Sequence, residues 1–167
     1  WCAIDGLDNI PRNTGFTLTI AGQEITGELV IQEGVTSIGN SAFNGCSGLT
    51  SVTIPDSVIS IGGSAFSGCI GLTSISIPAS VTSIGNSAFK GCGNLAIVNW
   101  NATTCTRAGQ SNYLIFEGCS KLVTINIGNN VTTIPAYAFA GCTTIKNINI
   151  PNGVTSIGSS AFYGCTR

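Results

Sequence analysis

A chain of 167 residues that is 43% apolar, only 8% charged and has a net charge of −1 lacks the basic surface that nucleic acid or anionic lipid requires. No apolar run approaches the roughly 20 residues needed to span a bilayer, so membrane insertion is not expected. The chain contains no His, the commonest general base and a frequent metal ligand.

In chain order, residues 1–26 precede any clear repeat. Phe16 to Ile20 (FTLTI) alternates like a half-buried strand and leads into a turn at Ala21-Gly22. The segment reads as an N-terminal cap, with Trp1 and Phe16 lying over the first coil, because the end repeats of an array must cover its open core. From Gly27 onward one pattern recurs: Phe43, Phe66, Phe89, Phe116, Phe139 and Phe162 follow one another at steps of 23, 23, 27, 23 and 23 residues. A fixed period in this range is the mark of a solenoid whose repeats bury their apolar side against their neighbours. Residues 27–167 are therefore expected to form about six 23-residue coils. The chain opens at Trp1, has no Met and stops at Cys165-Thr166-Arg167, which reads as a mature or excised piece of something longer.

Within a coil the pairs 52/54, 75/77, 98/100, 125/127 and 148/150 have the period of two of a strand with one face buried. Pro55, Pro78 and Pro151 end that strand because Pro has no N–H for a ladder. A second short extended piece is expected at Val58–Ile61 and its equivalents, followed by a turn at Gly39, Gly62, Gly85 and Gly158. The segment N-S-A-F-x-G-C is too short for a full helix and predicts one helical or 3₁₀ turn that seats Phe in the core.

Cys46, Cys69, Cys92, Cys119, Cys142 and Cys165 each lie three residues after a repeat Phe. Equivalent residues in stacked coils sit about 4.8 Å apart with parallel Cβ vectors, whereas a disulfide needs converging ones. The six are expected to be buried, thiol-bearing small hydrophobes. Cys2 and Cys105 lie off this register and are free to pair. One coil, at 97–116, is irregular: it has four extra residues, Trp100 stands where Ile is usual, and Asn101 replaces Pro. The extra length is expected to bulge around Asn101–Asn112, either as a functional loop or as a tolerated insertion.

The skeleton L-x-x-V-x-I-P-x-x-V-x-S-I-G-x-x-A-F-x-G-C, as at Leu49 to Cys69, resembles the BspA-like, or Treponema pallidum-type, leucine-rich repeat. The shared residues are Ile54-Pro55, Val58, Ile61-Gly62, Ala65-Phe66, Gly68-Cys69 and Leu72 with their counterparts over residues 27–167; Gln32 and Gly128 depart from it where Pro is expected. The resemblance implies a right-handed, β-rich leucine-rich-repeat solenoid from a secreted or surface-exposed microbial protein, often one used in adhesion or host interaction.

Chemistry of an enzyme is not expected. The carboxylates Asp5, Asp8, Glu24, Glu28, Glu33, Asp56 and Glu117 are scattered, no CxxC pair exists, and Gly62-Gly63 lacks the Lys and helix start of a phosphate cradle. No metal or cofactor is implied. What remains is the face between the skeleton positions: Ser51, Thr53, Ser74, Ser76, Ile97, Asn99, Thr124, Asn126, Asn147 and Asn149. In the usual solenoid geometry they line the concave side as an uncharged carpet of hydroxyls and amides. Such a carpet suits a sugar or an extended peptide, and equally a merely solvated sheet face. The expected partner is a host or neighbouring-cell protein or glycan, with end-to-end self-association into a filament or coat as the structural alternative. Asn101-Ala102-Thr103 and Asn130-Val131-Thr132 fit the glycosylation sequon, Asn101 being the more accessible on the expected bulge.

Overall fold

The structure, a computed structural model, describes residues 19–20, 23–24 and 26–165. Trp1, Cys2 and Phe16, and with them the expected cap contacts and the Cys2–Cys105 pairing, lie outside the described residues. A short antiparallel pair, β1 (Thr19–Ile20) with β2 (Gln23–Glu24), precedes the repeats. Each coil then contributes one longer and one two-residue strand: β3 (Gly27–Val30) and β4 (Ser37–Ile38), β5 (Leu49–Thr53) and β6 (Ser60–Ile61), β7 (Ser74–Ile77) and β8 (Ser83–Ile84), β9 (Ile97–Trp100) and β10 (Arg107–Ala108), β11 (Thr124–Ile127) and β12 (Thr133–Ile134), β13 (Asn147–Asn149) and β14 (Ser156–Ile157).

Equivalent strands pair in parallel, which makes the molecule a parallel β-solenoid of about 6 turns spaced about 23 residues apart. The long strands β7, β9, β11 and β13 form one continuous ladder, in which Ser76, Asn99, Asn126 and Asn149 share a row. β3 pairs with β5 in the same manner, and the ladder is interrupted between β5 and β7. The period-two alternation has a direct consequence: Ile75, Ile77, Val98, Trp100, Ile125 and Ile127 all point into the core. Pro55 and Pro78 close the strand and are buried themselves.

The third side departs from the expected helical turn, and no helix occurs among the described residues. From Ser41 to Cys46 alternate backbone N–H groups take two different partners. Those of Ser41, Phe43 and Gly45 reach the carbonyls of Gly63, Ala65 and Ser67 in the next coil, while those of Ala42, Asn44 and Cys46 close local turns on Gly39, Ser41 and Phe43. A true 3₁₀ turn would bond every N–H within the segment and leave the coils unlinked here. The alternation requires left-handed backbone at Ser41, Ser64, Ser87, Tyr137 and Ser160, with φ of 54–59°, and at the Gly preceding each column Cys. That conformation costs a non-glycine residue about 1 kcal/mol, which the buried Phe of the same turn offsets.

The Phe column runs through the core as a stack. Ring centroids are 5.2 Å apart for Phe43–Phe66, 5.3 Å for Phe66–Phe89 and 5.4 Å for Phe89–Phe116. Phe43, Phe66, Phe89, Phe116 and Phe139 are buried; Phe162, in the last coil, is partly so. Beside it Cys46, Cys69, Cys92, Cys119 and Cys142 are buried free thiols, and Cys165 is half-buried. They do more than fill space. The thiols of Cys69, Cys92, Cys119 and Cys165 donate to the carbonyls of Phe43, Phe66, Phe89 and Phe139, each one coil back, at 3.1–3.2 Å. Burial pushes the Cys105 thiol up to about 11, and burial followed by the neighbouring Cys165 pushes Cys142 up to about 12. Unfolded, both ionise near 9. Their contribution to stability is thus complete below pH 9 and lost as pH rises through 11 and 12, at about 1.4 kcal/mol per pH unit per thiol. Urea midpoints measured under reductant are expected to fall between pH 8 and pH 11; a constant midpoint would contradict protonated burial.

The stack has one seam. Phe116–Phe139 widens to 6.2 Å, no backbone hydrogen bond joins residues 114–118 to 137–141, and Cys142 makes no bond to Phe116. The cause lies at the corner after the short strand. There Gly62, Gly85, Gly109 and Gly158 donate N–H to Ile38, Ile61, Ile84 and Ile134, but the equivalent residue after Ile134 is Pro135, which has no N–H. β10 and β12 are accordingly unpaired. Leu114, in place of the usual Ser, also projects its Cδ1 to within 2.7 Å of where a Cβ on Gly141 would stand. Trp100 fills the wider gap, meeting Phe139 edge-on at 5.1 Å and 73°. The long-strand ladder from β9 to β11 crosses the seam intact, and Thr132 adds a link to the Thr103 carbonyl.

The candidate binding face

The long-strand sheet presents the outward residues of β5, β7, β9, β11 and β13. Thr53, Ser74, Ser76, Asn126 and Asn149 are exposed; Ser51, Asn99 and Thr124 are half-buried; Ile97 is 40% exposed and gives the face its apolar spot. Asn147 takes its place in register with Thr124. From β7 to β13 the parallel ladder brings these residues together, because identical register places each side chain about 4.8 Å from its equivalent.

At that spacing neighbouring amides bond to one another. The Nδ2 of Asn126 donates to the Oδ1 of Asn99 at 2.8 Å, and Asn101 Nδ2 donates to Ser76 Oγ at 3.3 Å. Holding each amide in one orientation leaves fixed donors and acceptors pointing outward, as a hydrogen-bonding platform needs. Below it, the indole Nε1 of buried Trp100 has no hydrogen-bond partner among the described residues. The rows also include Glu28, opposite Ser51, and exposed Val30, opposite Thr53. Glu28 and Val30 are harder to find in the sequence, because the first coil lacks the strand-ending Pro that marks the register; Gln32 stands there instead.

The second-strand Thr residues are committed elsewhere. Thr82, Thr132 and Thr155 donate their hydroxyls to the carbonyls of Ile59, Thr103 and Thr132. They stitch coil to coil.

The bulge expected over Asn101–Asn112 is smaller than that. Ala102, Cys105 and Ala108 are buried, and the N–H groups of Asn101, Thr103, Thr106 and Gly109 bond to Ile77, Ala79, Thr82 and Ile84 of the preceding coil. One extra residue is absorbed before β10, since Arg107 pairs with Ser83 across 24 positions whereas Ser83 pairs with Ser60 across 23. The rest form a turn closed by the Gln110–Tyr113 bridge, whose exposed residues alone leave the stack. Apolar residues at 102, 105 and 108 hold the remainder inside, a signal the length count obscures. Cys105 donates its thiol to Arg107 carbonyl, and Asn101 and Asn130 are both exposed.

A parallel coil stack with one long-strand face of aligned polar side chains defines a leucine-rich-repeat solenoid. The chain belongs to the BspA-type leucine-rich-repeat family, whose profile matches in 6 copies over residues 22–114 and 110–167. It is similar to the leucine-rich repeat protein of T. pallidum, with 27% identity, a TM-score of 0.66, and 89% of this chain and 73% of that one covered. It is also similar to a leucine-rich repeat protein from Eubacterium ventriosum, at 28% identity and a TM-score of 0.57, spanning 88% of this chain and 45% of that one. None of the functionally curated proteins matches it.

Proposed function

We propose that the protein is a secreted or cell-surface recognition module that binds a protein or glycan of a host or neighbouring cell through the long-strand face. The observation carrying this reading is the oriented amide row, in which the Asn126–Asn99 bond fixes donors and acceptors on a surface almost free of charge. Family membership and the scarcity of catalytic residue types favour recognition over chemistry. Three Lys residues on this face would add mutual repulsion and cover the amides. Thr53→Lys, Ser76→Lys and Asn126→Lys together are expected to lower binding on glycan and host-protein arrays at least tenfold. The melting temperature should stay within a few degrees, since exposed sites rarely change stability by more than about 0.5 kcal/mol each. Binding that survives would place the site elsewhere.

Self-association by coil stacking is the second reading. Light scattering decides it: a mass independent of concentration excludes assembly.

A further inference from the structure

A second polar recess lies away from the long-strand face, along the corner that follows the short strands. It holds about 350 Å³ and is lined by Asn40, Ser60, Gly62, Gly63, Ser83, Gly85, Asn86 and Arg107. Its length covers three coils, or about 10 Å at the strand spacing, and its volume falls within the range of small-ligand sites, about 300–1,000 Å³.

Two groups in it have unused hydrogen-bonding capacity. In the first rung Asn40 Oδ1 accepts the N–H of Gly63 at 2.7 Å. The same atom two coils on, Asn86 Oδ1, is buried without a partner. The Gln110–Tyr113 turn carries the next coil's backbone off register just where the matching N–H would come. The second group is the guanidinium of Arg107. It replaces the Ser of the earlier short strands, is exposed, and forms no ion pair among the described residues, where Lys90–Glu117 is the only one. An orphaned acceptor thus shares a recess with an unneutralised planar cation.

We propose that this recess binds a carboxylated oligosaccharide, Arg107 pairing with the carboxylate and the Asn86 amide turning its unpaired Oδ1 outward to accept from a sugar hydroxyl. Guanidinium geometry suits a carboxylate in two-point contact. The Ser60 and Ser83 hydroxyls offer further donors and acceptors to sugar oxygens. A peptide fits less well: β6 and β8, the floor of the recess, are bonded on both edges and have no backbone groups left for an added strand.

Tri-galacturonate and its methyl ester share one backbone and differ in charge, so they test both contacts. In titrations followed by amide chemical shifts, tri-galacturonate is expected to move Gly62, Gly63, Gly85 and Arg107, and the ester to bind at least tenfold more weakly. Arg107→Gln should cost at least tenfold, and Asn86→Asp, which sets a like charge beside the carboxylate, should do the same with an unchanged amide spectrum elsewhere. Equal binding of acid and ester, undiminished binding by Arg107→Gln, or no shift at all would overturn the proposal. Equal binding of tri-glutamate would overturn the saccharide assignment in favour of a general carboxylate site. The site is independent of the long-strand reading, because the triple-Lys variant should bind tri-galacturonate unchanged.

Discussion

Replacing Phe89 by Ala is expected to cost about 3–5 kcal/mol and to unfold much of the array at mild denaturant. Phe89 is fully buried, stacked on Phe66 at 5.3 Å and Phe116 at 5.4 Å, and its carbonyl accepts the Cys119 thiol. The ring sits between two other rings held at the coil spacing, so neighbouring coils cannot collapse into the space without breaking the hydrogen bonds from Phe89 N–H to Ile115 and from Phe66 N–H to Ala88. In a stack where each coil touches only its neighbours, an interior defect weakens two interfaces and a terminal one weakens a single interface. Phe162→Ala, at a partly buried end position, should therefore cost no more than about half as much. Chemical denaturation of the two variants tests this, and equal losses would contradict the nearest-neighbour account.

The second large effect comes from one methyl group. A Cβ on Gly62 would stand 2.6 Å from Asn40 N and Gly39 C, both backbone atoms of the preceding coil. Neither can rotate away, so Gly62→Ala must separate the coils or break the Gly62–Ile38 hydrogen bond of 2.8 Å. A loss of about 3 kcal/mol is expected, the upper end of overpacking effects. The adjacent Gly63 is the control. Its Cβ would meet nothing closer than 3.4 Å, and its φ is not positive, so Gly63→Ala should change stability by less than about 1 kcal/mol. Similar melting temperatures for the two variants would refute the close-approach argument.

At the same corner, the sequence pattern marks Gly39, Gly62, Gly85 and Gly158 as turn residues. Steric room against the preceding coil is the further reason at Gly62, Gly85 and Gly158, and that is visible only once coils are stacked. Pro135 stands in the same column, and its missing N–H is a property of the residue type. The seam is thus legible in the sequence at Pro135. The third side was less accessible. Left-handed backbone at Ser41, Ser64 and Ser87 is something Ser rarely adopts, so local propensity pointed to a helical turn while inter-coil hydrogen bonds decided otherwise.

The candidate faces divide in the same way. Period-two alternation was enough to name the outward rows, since a strand must turn alternate residues to opposite sides. The Asn126–Asn99 bond needed the register, and the Arg107–Asn86 recess needed three coils side by side; its two principal residues are 21 positions apart and belong to no motif.

Repeat period, strand alternation and the Phe and Cys columns are local or strictly periodic properties, so the order of residues alone determined the solenoid and its buried side. Other departures from the period were decided by tertiary structure: the small Gln110–Tyr113 turn and the unpaired Asn86. Each of these depends on how one coil fits the backbone of the next, a contact between residues more than twenty positions apart that no local pattern records.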